Sequence, residues 1–297
     1  VVRVAGPWTH RDVSANGIRL HVAELGEGPL VLLLHGFPEF WWSWRHQLTA
    51  LAEAGYRAVA VDLRGYGDSD KPPRGYDGFT LAGDVAGLVK ALGAQRAHLV
   101  GHAWGGLLAW TAGAMHPRLV SSVSTLSAPH PLALRRTFRR PSRLNPHVLR
   151  FQLPLYPERW LTRENGLQVA KLLSSWSGPK YRSAPEFDEV IRRCRQAVLV
   201  QGVAHSAMEY YRWAVRSQLR SDGRRFAEAV DKPLHVPVLQ VHGALDPVML
   251  ESTARASAPW LGPGSEFRSL PEVGHFPNQE APHTTSKLLT EFLRKSS

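Results

Sequence analysis

Residues 98–106 read His98-Leu99-Val100-Gly101-His102-Ala103-Trp104-Gly105-Gly106. An apolar run from Ala97 to Val100 enters a Gly-x-x-x-Gly, and the helical apolar pattern Leu107 to Met115 follows. That order predicts a strand, a tight turn and a helix, the layout of a nucleophile elbow. Glycines at 101 and 105 suit such a turn, because its two arms leave no room for side chains beside the central residue. The central position of an elbow carries Ser, Cys or Asp. Here it is Ala103, which has no nucleophilic atom.

Upstream, residues 9–25 read as two strands joined at the hairpin signal Asn16-Gly17. Leu30 to Leu34 is a continuous apolar run, suited to a strand buried on both faces, and it ends in His35-Gly36-Phe37-Pro38-Glu39. A helix is expected over Trp41–Ala54, a strand over Tyr56–Val61 and a helix over Thr80–Leu92. Downstream, Val120 to Leu126 reads as a strand. Strand and helix patterns alternate up to that point, which predicts an α/β fold: a mostly parallel central sheet flanked by helices. From Pro131 to His235 the pattern becomes helical, with many Arg and proline breaks that begin at Pro141. The β/α rhythm resumes at Val236 and continues through a strand at Glu266–Leu270 to a last helix near His283–Leu293. The expected organisation is a core of residues 1–130 and 236–297 with a helical lid of residues 131–235 between.

The formal net charge of +11 is confined to the lid. Residues 131–235 hold 20 Lys/Arg and 9 Asp/Glu, whereas the remainder holds 16 of each sign. This reads as a solvated basic surface. No zinc-finger spacing or basic-aromatic stacking pattern accompanies it, so no nucleic-acid partner is expected. No apolar run reaches the ~18 residues of a transmembrane helix. Val1 to Asn16 has no apolar signal-peptide region, and a cytoplasmic location is expected. The single Cys194 excludes an internal disulfide and reads as a packing residue.

Three positions complete a catalytic order of nucleophile, acid and base. Ala103 takes the first slot, Asp246 in His-Gly-Ala-Leu-Asp the second, and His275 in Gly-His-Phe the third. A carboxylate is needed to hold an imidazole in one tautomer and to stabilise its protonated form. Backbone N–H groups at Trp104 and Phe37 are the expected oxyanion donors. His35 and His102 flank the site and read as structural, satisfied by nearby backbone. Glu39 is a further carboxylate at the same sheet edge, with a substitute catalytic role weighed against it.

These residues resemble the epoxide hydrolase family of the α/β-hydrolase fold. The marks are His35-Gly36-Phe37-Pro38-Glu39 with Trp44-Arg45, Asp62 to Pro72, Gly101-His102-x-Trp104-Gly105-Gly106, and Gly274-His275-Phe276 with Glu280-Ala281-Pro282. The resemblance covers nearly the whole chain. It implies that an elbow Asp attacks an epoxide to form an alkyl-enzyme ester, which a His–Asp pair then hydrolyses to a diol. It also implies two lid tyrosines that hold the epoxide oxygen. The second matches Tyr211, with Tyr210 as the neighbouring register and a substrate contact beside Phe37 and Trp104. The first falls on His147, which either replaces the tyrosine as donor or faces solvent. With Ala103 at the elbow, the chain is expected to be inactive or severely impaired. The expected substrate is a small apolar epoxide, with no metal or cofactor, and a homodimer is a compatible assembly. Other readings are a serine-type esterase, a haloalkane dehalogenase, and a non-catalytic binding protein on the same scaffold.

Overall fold

Eight strands hydrogen-bond into one sheet. They are β1 (Thr9–Ala15), β2 (Ile18–Leu25), β3 (Leu30–Leu34), β4 (Arg57–Val61), β5 (Ala97–His102), β6 (Val120–Leu126), β7 (Val238–Gly243) and β8 (Glu266–Leu270). The structure, a computed structural model, describes residues 1–138 and 146–296, and the break read at Pro141 lies outside them. The sheet order is β1-β2-β4-β3-β5-β6-β7-β8. β1 and β2 form an antiparallel hairpin across Asn16-Gly17, and β2 pairs antiparallel with β4. Every other pairing is parallel.

Helices cover both faces of a parallel sheet, so its central strands must be apolar on both sides. All of β3 and all of β5 are buried accordingly. The helix Gly78–Ala91 begins where Asp77 accepts a hydrogen bond from Thr80 N at 2.9 Å, an N-cap that satisfies one of its orphan donors. The expected single helix at Trp41–Ala54 is two pieces: a 3-10 turn over Trp41–Trp44, then a helix over Arg45–Glu53. The reason is local. Three indoles are buried in that one turn, and Asp62 Oδ1 takes the Trp41 N–H at 3.0 Å.

The strand order positions the site. The chain steps outward from β3 to β4, then returns to the opposite side of β3 to lay down β5. Loops leaving the carboxyl ends of β3 and β5 therefore turn apart and leave a crevice, the usual ligand position in such sheets. Between β6 and β7 the described residues form helices and no strand, and these roof the crevice. Cys194 is a buried free thiol in the roof helix Phe187–Val198, and burial pushes its pKa up. Among the described residues no helix is long and apolar enough to cross a membrane.

At the crevice the backbone of β3 touches that of the helix after β5, Trp104–Met115. A Cβ on Gly105 would collide with Leu34 O and lie 2.7 Å from His35 O, and neither carbonyl is free to move. Gly105→Ala is therefore expected to cost about 3 kcal/mol through overpacking. Urea unfolding should register this as a lower midpoint with an unchanged m-value.

Candidate active site

The backbone reverses direction at Ala103, with φ 46° and ψ −112°. This is a strained conformation for a residue with a Cβ. Three bonds impose it: Ala103 N to Leu126 O (3.0 Å), Gly105 N to His35 O (3.1 Å) and Leu107 N to Ala103 O (3.0 Å). Trp104 follows as the first residue of the helix Trp104–Met115, where an N–H has no intrahelical acceptor.

His275 lies in the loop after β8. Its Nδ1 is 2.8 Å from Asp246 Oδ2, so with Asp246 ionised Nδ1 carries the proton and Nε2 the lone pair. Asp246 Oδ1 accepts from Val248 N (2.8 Å) and Met249 N (2.9 Å). Burial opposes the charge on Asp246, but His275 and these donors outweigh it and hold its pKa below the ordinary carboxylate value. The loop carrying His275 is clamped. His275 N donates to Trp176 O at 2.8 Å, and the carboxylate of Glu280 accepts from Gly178 N, Gly274 N and Phe276 N at 2.8, 2.7 and 3.0 Å.

His102 was expected to be satisfied by backbone, and backbone is only half of its environment. Nε2 faces His275 O at 2.7 Å, while Nδ1 faces Glu39 Oε2 at 2.6 Å. Both partners accept, so both ring nitrogens carry protons and His102 is a buried imidazolium. Burial opposes that charge, but the Glu39 carboxylate overcomes it and raises the pKa. Glu39 is lowered in turn: burial works against its charge and His102 outweighs it. Gln279 Nε2 fills the other carboxylate oxygen at 2.6 Å. Glu39 is thus fully committed, which removes it as a substitute catalytic group. His35 is the neutral structural residue expected, with Nδ1 donating to Gly36 O (2.8 Å) and Nε2 accepting from Leu63 N (3.2 Å).

A cavity of about 90 Å³ brings Ala103, Phe37, Trp104, His147, Tyr211 and His275 together. Burial pushes the Tyr211 hydroxyl upward despite the Trp104 indole beside it, so the hydroxyl keeps its proton and remains a donor. His147 lines the cavity rather than facing solvent, with its ring 5.0 Å from Trp176 and 5.8 Å from Tyr211. Burial, then the charges of His275 and Arg150, lower its pKa to about 3. At neutral pH it is an uncharged imidazole that can donate a hydrogen bond but holds no second proton to transfer.

Tyr210 does not join this group. Its hydroxyl donates to Arg64 O at 2.8 Å, and its ring packs on Tyr66 and Tyr76. Consecutive helical residues point about 100° apart, so only one of the two tyrosines can face the cavity. The loop Asp62 to Pro72 thereby acts as the anchor of that helix. Trp176 was not singled out from sequence, yet it walls the cavity and binds the His275 loop. The available signal was its place at a helix end, just before Ser177-Gly178-Pro179.

Comparison with known proteins gives the family and the fold. The family model described as alpha/beta hydrolase fold matches residues 29–282. The chain is 35% identical to Epoxide hydrolase A of Mycobacterium tuberculosis, over 97% of this chain and 98% of that protein. It is 32% identical to an AB hydrolase superfamily protein of Bacillus subtilis, over 95% of this chain and 96% of that one. Among solved structures, an epoxide hydrolase from an endophytic Streptomyces superposes with TM-score 0.84 at 31% identity, covering 98% of this chain and 96% of that one. An epoxide hydrolase from Vigna radiata gives 0.83 at 31% identity, covering 99% and 100%.

The Glu39–His102 pair makes stability depend on pH. Glu39 is lowered in the fold, so its contribution is present above about pH 4.3 and is lost as pH falls through its folded pKa. His102 is raised, so its contribution is complete below about pH 6.5 and is lost as pH rises through its folded pKa. Both contributions are complete together only between those limits. Glu39→Gln should cost about 3–5 kcal/mol there. Urea unfolding at about pH 5.5 and about pH 9.5 should show the smaller cost at the higher pH.

Proposed function

Because this chain belongs to the α/β-hydrolase fold family, as an epoxide hydrolase-like member, we propose that its cavity binds an epoxide and is built to open it to a diol, with the nucleophile position vacated at Ala103. The observation that carries this reading is one cavity lined by Ala103, Tyr211 and His275, with His275 Nδ1 held 2.8 Å from Asp246 Oδ2 behind it.

In the complete reaction a carboxylate at position 103 attacks an epoxide carbon. The carbon–oxygen bond of the ring breaks, and its electron pair stays on oxygen as an alkoxide. Tyr211 hydrogen-bonds that oxygen and passes it a proton, which solvent then returns to the phenol, with neutral His147 as the second hydrogen-bond donor. Water then attacks the ester carbonyl and passes its proton to His275 Nε2, while Asp246 stabilises the imidazolium. Trp104 N–H and Phe37 N–H receive the oxyanion. The ester carbon–oxygen bond breaks, the departing alkoxide takes the proton back from His275, the carboxyl group at position 103 releases its own proton to solvent, and the diol leaves.

Alanine cannot perform the first step. This chain therefore holds an epoxide beside an otherwise complete hydrolytic apparatus and turns it over slowly or not at all. That makes a binding role on the same scaffold the second reading, favoured by Ala103 itself. Phe37 supplies no side-chain donor for a halide, and an ester substrate gives Tyr211 no role, so the dehalogenase and esterase readings rank lower.

Ala103→Asp should restore diol formation from a panel of epoxides, at least about 10⁴-fold above the present chain. Adding His275→Gln should stall the reaction at an ester, seen by mass spectrometry as protein plus one substrate. Ester cleavage by Ala103→Ser, with no diol from Ala103→Asp, would reverse the assignment. In the Ala103→Asp background, Tyr211→Phe should lower kcat by about 10²–10³-fold, the usual effect of losing one transition-state donor. The pH profile should show no limb from His147 between pH 5 and 8, since its pKa is about 3.

A further inference from the structure

A second apolar cavity of about 70 Å³ adjoins the one that contains Ala103. The two meet at Trp104, Leu107, Leu134 and Ala214, which line both. Leu81, Leu108, Trp213 and Phe226 are among the apolar residues that line the second chamber. Its described lining includes one charged side chain, Arg135, on the helix Pro131–Phe138.

Arg135 is half-buried and has no carboxylate partner among the described residues. Its guanidinium is held by two backbone carbonyls, Gly223 O at 3.2 Å and Gln218 O at 3.5 Å. Carbonyls fix its direction but leave its charge uncompensated, and a guanidinium has five N–H donors to place. The other polar groups of the chamber are occupied at home: Thr111 Oγ1 donates to Leu107 O at 2.7 Å and Gln218 Nε2 to Ala214 O at 2.8 Å. Arg212, on a neighbouring roof helix, shows the ordinary arrangement, paired with Glu158 at 2.8 Å and Glu209 at 2.9 Å. A half-buried cation at the wall of a mostly apolar chamber, with no counter-charge among the described residues, is open to pairing with an anion. Trp213 adds a buried indole N–H that has no partner among the described residues.

We propose that the cognate ligand is an amphipathic epoxide: an apolar chain that places its epoxide in the first cavity and ends in a carboxylate paired with Arg135 in the second. This rests on the epoxide reading above and adds the chemistry of the ligand's far end. The competing anchor is an outer recess that shares Tyr76 and Trp213 with the chamber and is lined by Arg74, Arg216, Arg220 and Arg225.

The test is equilibrium binding to the full chain with Ala103 retained, measured by isothermal titration calorimetry. The probes are epoxidised undecenoic acid, its methyl ester, undecanoic acid and methyl undecanoate. The epoxy acid should bind at least about tenfold more tightly than its ester, with the advantage falling as salt is added. In Arg135→Gln, checked for folding by its thermal midpoint, the ratio of acid to ester affinity should collapse to about one. Equal binding of acid and ester to the unsubstituted chain overturns the proposal whatever the variant does. An acid preference that survives Arg135→Gln but is lost in the triple variant Arg216→Gln/Arg220→Gln/Arg225→Gln also overturns it, moving the anchor to the outer recess. Failure of the epoxide reading looks different: undecanoic acid would bind as tightly as the epoxy acid, with the acid-over-ester preference intact.

Discussion

Glu39 belongs to the loop after β3, His102 ends β5, and the carbonyl that His102 bonds is that of His275, beyond β8. One buried charge pair therefore joins three segments far apart in sequence. An apolar cluster could fill the same volume, but it would not fix direction. A charged hydrogen bond of 2.6 Å to a carboxylate and another of 2.7 Å to a carbonyl determine where the imidazole lies, and through it where the His275 backbone lies. Glu280 repeats the device from the other side, holding the N–H groups on either side of His275. The side chain of His275 is then oriented by its hydrogen bond to Asp246, the contact its chemistry requires, with the rings of His102 and Trp176 against it.

Below the crevice the site is a rigid polar lattice; above it the helical layer contributes rings. Phe151, Trp176 and Tyr211 surround His147 at centroid distances of 5.0–5.8 Å. That aromatic enclosure buries His147. It keeps both His147 and Tyr211 uncharged as hydrogen-bond donors, and it strengthens any polar contact formed inside. The division follows the fold: strand ends deliver charged groups at fixed positions, and helices supply apolar area.

The elbow was legible because its requirements are local. Two glycines, an apolar strand and an apolar helix lie within about twenty residues, and sterics permit little else there. Asp246 and His275 could be singled out because each follows a recognisable strand pattern, and the structure brings their side chains within 2.8 Å. The choice between Tyr210 and Tyr211 was open because one residue of helical phase reverses which ring faces inward, and only packing against Arg64 and Tyr66 sets that phase. The state of His147 was illegible for a different reason: beside its neighbour Arg150, its pKa depends on burial against Trp176 and on His275, 29 and 128 positions away in sequence. The partner of His102 was hidden in the same way. Glu39 lies 63 residues earlier, and no spacing rule connects the two.

Ala103 keeps φ at 46° although its side chain has nothing to present. The turn is imposed by its neighbours, the bonds to Leu126 and His35 and the crowded glycines, and not by the residue at its apex. Such a backbone stores about 1–3 kcal/mol. Its geometry has to be inherited whole, because many residues share in holding it, whereas the atom it would present is the property of one. Aspartate and alanine codons differ at a single base. On the proposed reading, one point mutation separates this chain from a reactive enzyme in either direction, and the scaffold would scarcely register the crossing.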